Sequence, residues 1–138
     1  MDNGVTAGLA SALVGMIATA FIAREAAAVR AMPAHRGTLI ILISYSGSLA
    51  LMGLVVAVLA ATQSGETPMI ALVAPIAALV GGAIMLAAAR GYAATATAPG
   101  SADPARMRGT AVTIAALGQG IAILGTVGAM LAIFGVFG

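Results

Sequence analysis

Four long tracts without a charged residue dominate the pattern of polar and apolar positions along the chain. They comprise residues 3–23, 37–65, 67–89 and 109–138. A helix needs about 20 residues to cross a hydrocarbon core of roughly 30 Å, and each tract is at least that long. The tracts are too long and alternate too little for barrel strands, and lipid otherwise admits only helices. The pattern therefore predicts an all-α membrane protein. Its four transmembrane helices are placed at about residues 4–23, 38–62, 69–89 and 110–137.

Prolines set the expected ends of these helices. The composition beyond the first tract continues to favour helix until Pro33, which is expected to end it. Pro75 is expected to kink the third helix unless it lies in the first turn. Residues 99–104, Pro-Gly-Ser-Ala-Asp-Pro, predict a turn before the fourth helix. The chain therefore divides into two helical hairpins, residues 1–68 and 69–138.

The composition excludes several other classes of protein. The chain is 62% hydrophobic and only 7% charged, whereas a soluble domain carries about 25% charged residues. It has no Cys, which excludes a disulfide scaffold and a Cys-based metal site. Its net charge of +2 comes from arginines scattered on short connections, so there is no basic stripe for nucleic acid. Asp2 stands where a signal peptide would be basic, which argues against a cleaved leader.

The arginines predict the orientation of the chain in the membrane. All of them lie between the first and second predicted helices or between the third and fourth: Arg24, Arg30, Arg36, Arg90, Arg106 and Arg108. The connection between the second and third helices carries one acid, Glu66, and no base. The positive-inside rule therefore predicts that loops 24–37 and 90–109 are cytoplasmic and that both termini are outside.

The two halves of the chain resemble each other in sequence. Residues 33–38 (PAHRGT) align with residues 104–110 (PARMRGT) after one insertion. From there an offset of 72 holds without a gap and pairs Gly53 with Gly125. A repeat with an even number of spans places both copies in the same orientation, so we expect two tandem, parallel hairpins.

The spans are rich in small residues, and the chain has 18 Gly. Small residues allow helices to approach closely in lipid. One interpretation is a compact four-helix bundle that packs only on itself. The other is that these residues serve contacts between copies of the chain. In that case a bulky change at Gly82 or Gly118 should break the oligomer before it unfolds the subunit.

Four segments stand out beside the tandem hairpins and their short Arg-Pro loops: residues 26–37 (AAAVRAMPAHRG), 49–57 (LALMGLVVA), 102–104 (ADP) and 120–125 (GIAILG). With these segments the chain resembles the proteolipid subunit of rotary ATPases, in the duplicated V/A-type form called c or K. The first helix has fewer glycines than the family's usual inner helix. The resemblance implies a ring of identical or related proteolipids, with helices one and three inside and helices two and four facing the stator. The Arg loops would then face the central stalk. The chain would be a non-catalytic subunit in transport of H⁺ or Na⁺ coupled to ATP, and not an enzyme on its own.

The resemblance also implies an ion site. The family carries its ion on a carboxylate six residues before the Gly of the outer-helix signature, and the corresponding positions here are Gly47 and Gln119. Independently, Gln119 lies ten residues beyond Gly109, at a depth of about 15 Å and near the midplane. Glutamine resembles a protonated Glu in shape and hydrogen bonding but cannot titrate. No acidic, basic or His residue lies inside any predicted span, so this chain is not expected to carry protons by itself.

Hydroxyl residues of the second span are the candidate partners of Gln119. They are Ser44, Tyr45, Ser46 and Ser48. One interpretation is an amide that bonds across helices, worth around 1 kcal/mol. Another is a sodium site of Gln119, hydroxyls and carbonyls, which would be weak without a carboxylate. No resident cofactor or metal is predicted.

Three further polar residues are expected to have structural roles. Thr113 and Thr126 are expected to donate to carbonyls of their own helix. His35 is expected to be a solvated loop residue, since no second His is present to form a metal site.

Two other functions remain open on the sequence. The chain could be a non-conducting structural or assembly subunit of another membrane complex. It could also be a small channel or carrier with a polar patch formed by residues 44–48 and Gln119.

Overall fold

The computed structural model describes residues 1–29, 31–100 and 103–137. Arg30 and the Ser101–Ala102 part of the predicted turn therefore lie outside the described residues. The helices are α1 (Asn3–Ala27), α2 (Pro33–Thr62), a short 3₁₀ helix (Met69–Leu72), α3 (Val73–Thr97) and α4 (Pro104–Ile133). The described part contains no strand. All four α-helices are long and apolar enough to cross a membrane, which confirms the all-α class and the number of spans.

The helices extend beyond the predicted spans at the end of the bundle that carries the arginines. α2 and α4 each have 30 residues and are about 45 Å long, whereas the hydrocarbon core is roughly 30 Å thick. They therefore project into the headgroup region, and α3 also continues past the predicted end at residue 89 to Thr97. At the opposite end α4 stops at Ile133, four residues before the predicted 137.

Pro33 and Pro75 both lie in the first turn of a helix and do not interrupt it. The prediction that Pro33 ends the first helix is wrong, because α1 already ends at Ala27 and Pro33 is the first residue of α2. Proline suits this position because the first N–H of a helix has no partner within it. Pro75 lies in the first turn of α3, which is the case in which no kink was expected.

The four helices form two hairpins that lie side by side. The most extensive packing is within each hairpin, of α1 on α2 and of α3 on α4. Between the hairpins, α1 packs on α3 more extensively than α2 packs on α4. The core at mid-depth contains Ile22, Leu42, Leu49 and Met85. The helix ends that carry Arg24, Arg36, Arg90, Arg106 and Arg108 lie at one end of the bundle, and the N-terminus and the 63–68 connection lie at the other.

Glycines allow the helices of each hairpin to approach closely. A Cβ on Gly53 of α2 would clash with the backbone of Ala12 in α1, and a Cβ on Gly118 of α4 would clash with the carbonyl of Gly81 in α3. A Cβ on Gly82 would lie 3.2 Å from Ala18 Cβ, between α1 and α3. The expectation that Gly82 and Gly118 serve contacts between copies is therefore wrong, because both glycines face inward.

Hydrogen bonds from Asp2 and Asn3 hold the start of α1 to the 63–68 connection. Asp2 Oδ2 caps α1 by accepting from the N–H of Gly4 at 2.8 Å, and Asp2 Oδ1 accepts from the N–H of Thr67 at 2.8 Å. Asn3 Nδ2 donates to the Thr67 carbonyl at 3.0 Å. The backbone N–H of Thr67 favours the charged form of Asp2 and so lowers the pKa of this carboxyl.

Candidate site at mid-depth between α2 and α4

Gln119 bonds across helices at the middle of the bundle. It lies about halfway along α4, and Ser48 lies about halfway along α2. Because both helices start at the Arg-bearing end, the two residues are at the same depth, about 22 Å from either helix end. Gln119 Nε2 donates to Ser48 Oγ at 2.9 Å. Ser48 in turn donates to the Tyr45 carbonyl at 2.6 Å, so one chain of bonds joins the two helices.

The other residues of the predicted polar patch lie apart from Gln119. Ser44 is exposed and donates to the Ile40 carbonyl at 2.8 Å. The ring of Tyr45 packs against the mid-depth core. Ser46 is buried and faces α1. Gly47 has no atom within 4 Å of a Cβ built on it. Of the hydroxyl side chains proposed as partners, the structure therefore brings Ser48 to Gln119.

Thr19 makes a polar contact between helices that the sequence did not predict. Its Oγ1 donates to the Gly15 carbonyl at 2.8 Å and lies 3.0 Å from Ser46 Oγ. Ser46 also donates to the Ile43 carbonyl at 2.9 Å. The sequence contained one indication of this contact, because few residues of the first span carry a hydroxyl. The sequence does not show which neighbour Thr19 faces, because this depends on how α1 packs on α2.

The remaining hydroxyls near mid-depth are satisfied within their own helices. Thr113 donates to the Gly109 carbonyl at 2.7 Å and Thr126 to the Ala122 carbonyl at 3.1 Å, which confirms the prediction for both. In the described part no buried side-chain nitrogen or oxygen lacks a hydrogen-bond partner. Nor do three His, Cys, Asp or Glu residues gather there in a way that could hold a metal ion. The oxygens nearest to Gln119 are thus uncharged.

His35 is buried, which corrects the prediction of a solvated loop residue. Its side chain lies in the first turn of α2 and the residue is 6% exposed. Nδ1 is 2.6 Å from the Tyr92 hydroxyl of α3, and the two rings meet edge to face. The physical reason is that α2 begins at Pro33, so His35 faces α3 on a helix and is not held in a loop.

Two further polar contacts join the hairpins at the same end of the bundle. Arg108 Nε of α4 donates to Thr38 Oγ1 of α2 at 3.0 Å. Arg90 Nε of α3 donates to Glu25 Oε1 of α1 at 3.1 Å. This ion pair is exposed on the arginine side, so it contributes little stability. Together with His35, these contacts position the hairpins relative to each other at the headgroup level.

The fold and site define a class of protein: a multi-pass, all-α membrane protein with an uncharged polar pair at mid-depth between two parallel helices. No protein-family model matches the chain. No curated protein has a significant match to it.

Proposed function

We propose that this chain is a ring-forming, proteolipid-type subunit of a V/A-type rotary ATPase, and that it does not itself exchange protons. The observation that carries the proposal is Gln119, at mid-depth on α4 and bonded to Ser48 of α2. Gln119 is at the position where the resemblance puts an ion-binding carboxylate. Its amide can form the hydrogen bonds of a neutral acid but cannot become charged. The subunit would complete a ring in which related copies carry H⁺ or Na⁺.

The arrangement of the helices supports a ring. α1 and α3 pack together more extensively than α2 and α4 do. In a ring the inner helices lie on a smaller circle than the outer ones and are closer together. α1 and α3 would then be inner helices, and α2 and α4, which hold Ser48 and Gln119, would be outer helices near the stator.

Equivalent glycine contacts support a tandem repeat. Gly53 and Gly125, which the offset of 72 pairs, both lie against the first helix of their own hairpin. A Cβ on Gly53 would clash with Ala12 of α1, and a Cβ on Gly125 would clash with Ala77 of α3. Because each of the four α-helices carries its described arginines near the same end of the bundle, we propose that this end is cytoplasmic and faces the central stalk.

A second candidate is a non-conducting structural subunit of another membrane complex. The Gln119–Ser48 bond favours it as well, because an interhelical amide bond that is satisfied within the chain is what a packing residue would form. In this role the chain would bind larger partner subunits as a single copy.

Native mass spectrometry of complexes extracted in mild detergent distinguishes the two candidates. We expect a closed assembly that contains many proteolipid copies, including several of this 13.3 kDa chain or its close relatives. One copy bound to larger, dissimilar subunits would reject the ring and favour the second candidate. A chain that is stable and monomeric in lipid, without partners, would contradict both.

A further inference from the structure

A cleft between α3 and α4 opens at the Arg-bearing end of the bundle. Its volume is 360 Å³, within the range of small-molecule sites in proteins. Arg106 and Thr95 lie at its outer part, and Gly91, Ala111 and Ile114 line its inner part. The cleft is therefore cationic at its mouth and apolar inside.

The depth of the cleft matches the boundary between headgroups and acyl chains. Arg106 lies in the first turn of α4, and about 7 Å of this helix projects beyond the hydrocarbon core at each end. Ile114 is eight residues further along the helix, about 12 Å deeper. The cleft thus runs from the headgroup level into the acyl-chain region.

The guanidinium of Arg106 has no hydrogen bond or ion pair with any residue that the structure describes, unlike those of Arg90 and Arg108. None of the described residues that line the cleft is acidic. The nearest carboxylate in sequence, Asp103, caps α4 by accepting from the N–H of Ala105 at 3.3 Å. The charge at the mouth of the cleft is thus not balanced by its lining, and an arginine is well suited to bind a phosphate through two parallel hydrogen bonds.

We propose that this cleft binds an anionic phospholipid. Arg106 would bind the phosphate, and one acyl chain would lie along Gly91, Ala111 and Ile114. Basic pockets between transmembrane helices are known to recognise anionic headgroups, and the apolar inner wall requires a ligand with a chain attached to its phosphate. The proposal does not depend on the rotary ATPase assignment, because every residue in it belongs to one hairpin of this chain.

Native mass spectrometry of the whole protein, titrated with phosphatidylglycerol, tests the proposal. We expect a saturable lipid adduct that phosphatidylcholine does not match and that inorganic phosphate does not displace. Arg106→Gln should weaken it roughly fivefold, because the phosphate in the cleft loses its charged hydrogen-bond donor. Arg24→Gln is the matched control, because Arg24 is exposed at the same end, on α1 and outside the cleft. It should leave the affinity within about twofold, because an exposed charge outside the cleft is largely screened from a phosphate bound at Arg106.

A second pair of variants tests the acyl chain independently of charge. Gly91→Leu places a bulky side chain in the lining of the cleft, at a position where an added Cβ meets no neighbouring helix within 4 Å. It should abolish the adduct, whereas Gly109→Leu, equally open and outside the cleft, should not. Equal losses in Arg106→Gln and Arg24→Gln would reject the site, as would equal binding of the two lipids or retention of the adduct in Gly91→Leu. Thermal unfolding of each variant verifies that it is folded.

Discussion

Gln119 differs from most polar residues of the four helices in the direction of its hydrogen bond. Thr113, Thr126 and Ser44 donate to carbonyls one turn earlier in their own helices, which a short hydroxyl side chain reaches readily. The longer amide of Gln119 reaches Ser48 on α2 instead. This bond joins two helices that pack less extensively than α1 and α3 do, so it helps to set the register between α2 and α4.

At the residue scale, Gln119→Glu should create a carboxyl that reacts with a carbodiimide. The ionised form would lose its hydration at mid-depth, so we expect the neutral acid, which such a reagent modifies in membranes. The natural protein should remain unlabelled, because Glu25 is paired with Arg90 and Glu66 is exposed. Labelling is measured by mass spectrometry of the intact chain.

Gln63→Glu is the matched control for this labelling, because Gln63 is exposed at the end of α2. A carboxylate there stays hydrated and ionised and should not react. Labelling of the natural protein would assign the reactive carboxyl to Glu25 or Glu66 and reject the alignment at Gln119. Failure of Gln119→Glu to react would favour the packing amide and the structural subunit.

At the scale of the elements, the spacing of the helices depends on which glycines face a neighbour. Gly53 and Gly47 lie in the same helix, yet Gly53 contacts the backbone of α1 and Gly47 has open space beside it. A glycine in the interior of a helix costs roughly 0.5–1 kcal/mol relative to alanine. The close approach of α1 explains why residue 53 is a glycine, since α1 leaves no space for a Cβ there. No contact with the residues that the structure describes explains Gly47.

Substitution of these two glycines should change stability in opposite directions. Gly53→Ala should destabilise the protein by about 1–3 kcal/mol, because the new methyl group must push α1 and α2 apart. Gly47→Ala should stabilise it by up to about 1 kcal/mol. Denaturant unfolding of the purified protein in one detergent measures both. Stabilisation by Gly53→Ala would contradict the packing of α1 on α2, and destabilisation by Gly47→Ala would contradict the open space beside Gly47.

At the scale of the whole molecule, polar contacts concentrate at the two ends of the bundle. Asp2 and Thr67 bond at one end, and His35 and Tyr92 meet at the other. Between the two ends the helices pack through small residues and the apolar core around Leu49 and Met85, with the Gln119–Ser48 and Thr19–Ser46 contacts as the polar exceptions. This distribution suits a bilayer, because charged and strongly polar groups are costly within the hydrocarbon core.

Single-cysteine labelling in intact cells tests the orientation of the molecule, since the chain has no Cys of its own. Glu66→Cys and Ala98→Cys place exposed thiols at opposite ends of the bundle. A membrane-impermeant maleimide should label Glu66→Cys directly and Ala98→Cys only after the membrane is permeabilised. The reverse result would invert the orientation. Labelling of both from the same side would contradict the four-span fold.

The amino-acid sequence by itself determined the class of the protein and the number of its helices. Spanning a bilayer depends on the length and apolarity of a segment, and both can be read along the chain. The helix ends were less well predicted. Each predicted span stopped at a charged residue, but charged residues such as Arg36 and Arg108 belong to the helices, which continue into the headgroup region.

Only the tertiary structure decided which side chains face one another. The sequence offered four hydroxyl residues as partners for Gln119, and the rotation of α2 about its axis brought Ser48 to it. The same rotation buried His35 against Tyr92, while the packing of α3 on α4 turned Gly118 inward and left the cleft beside Arg106. Helices in lipid are apolar on all sides, so their sequences contain no strong amphipathic pattern to fix this rotation. Close contacts between neighbouring helices fix it instead.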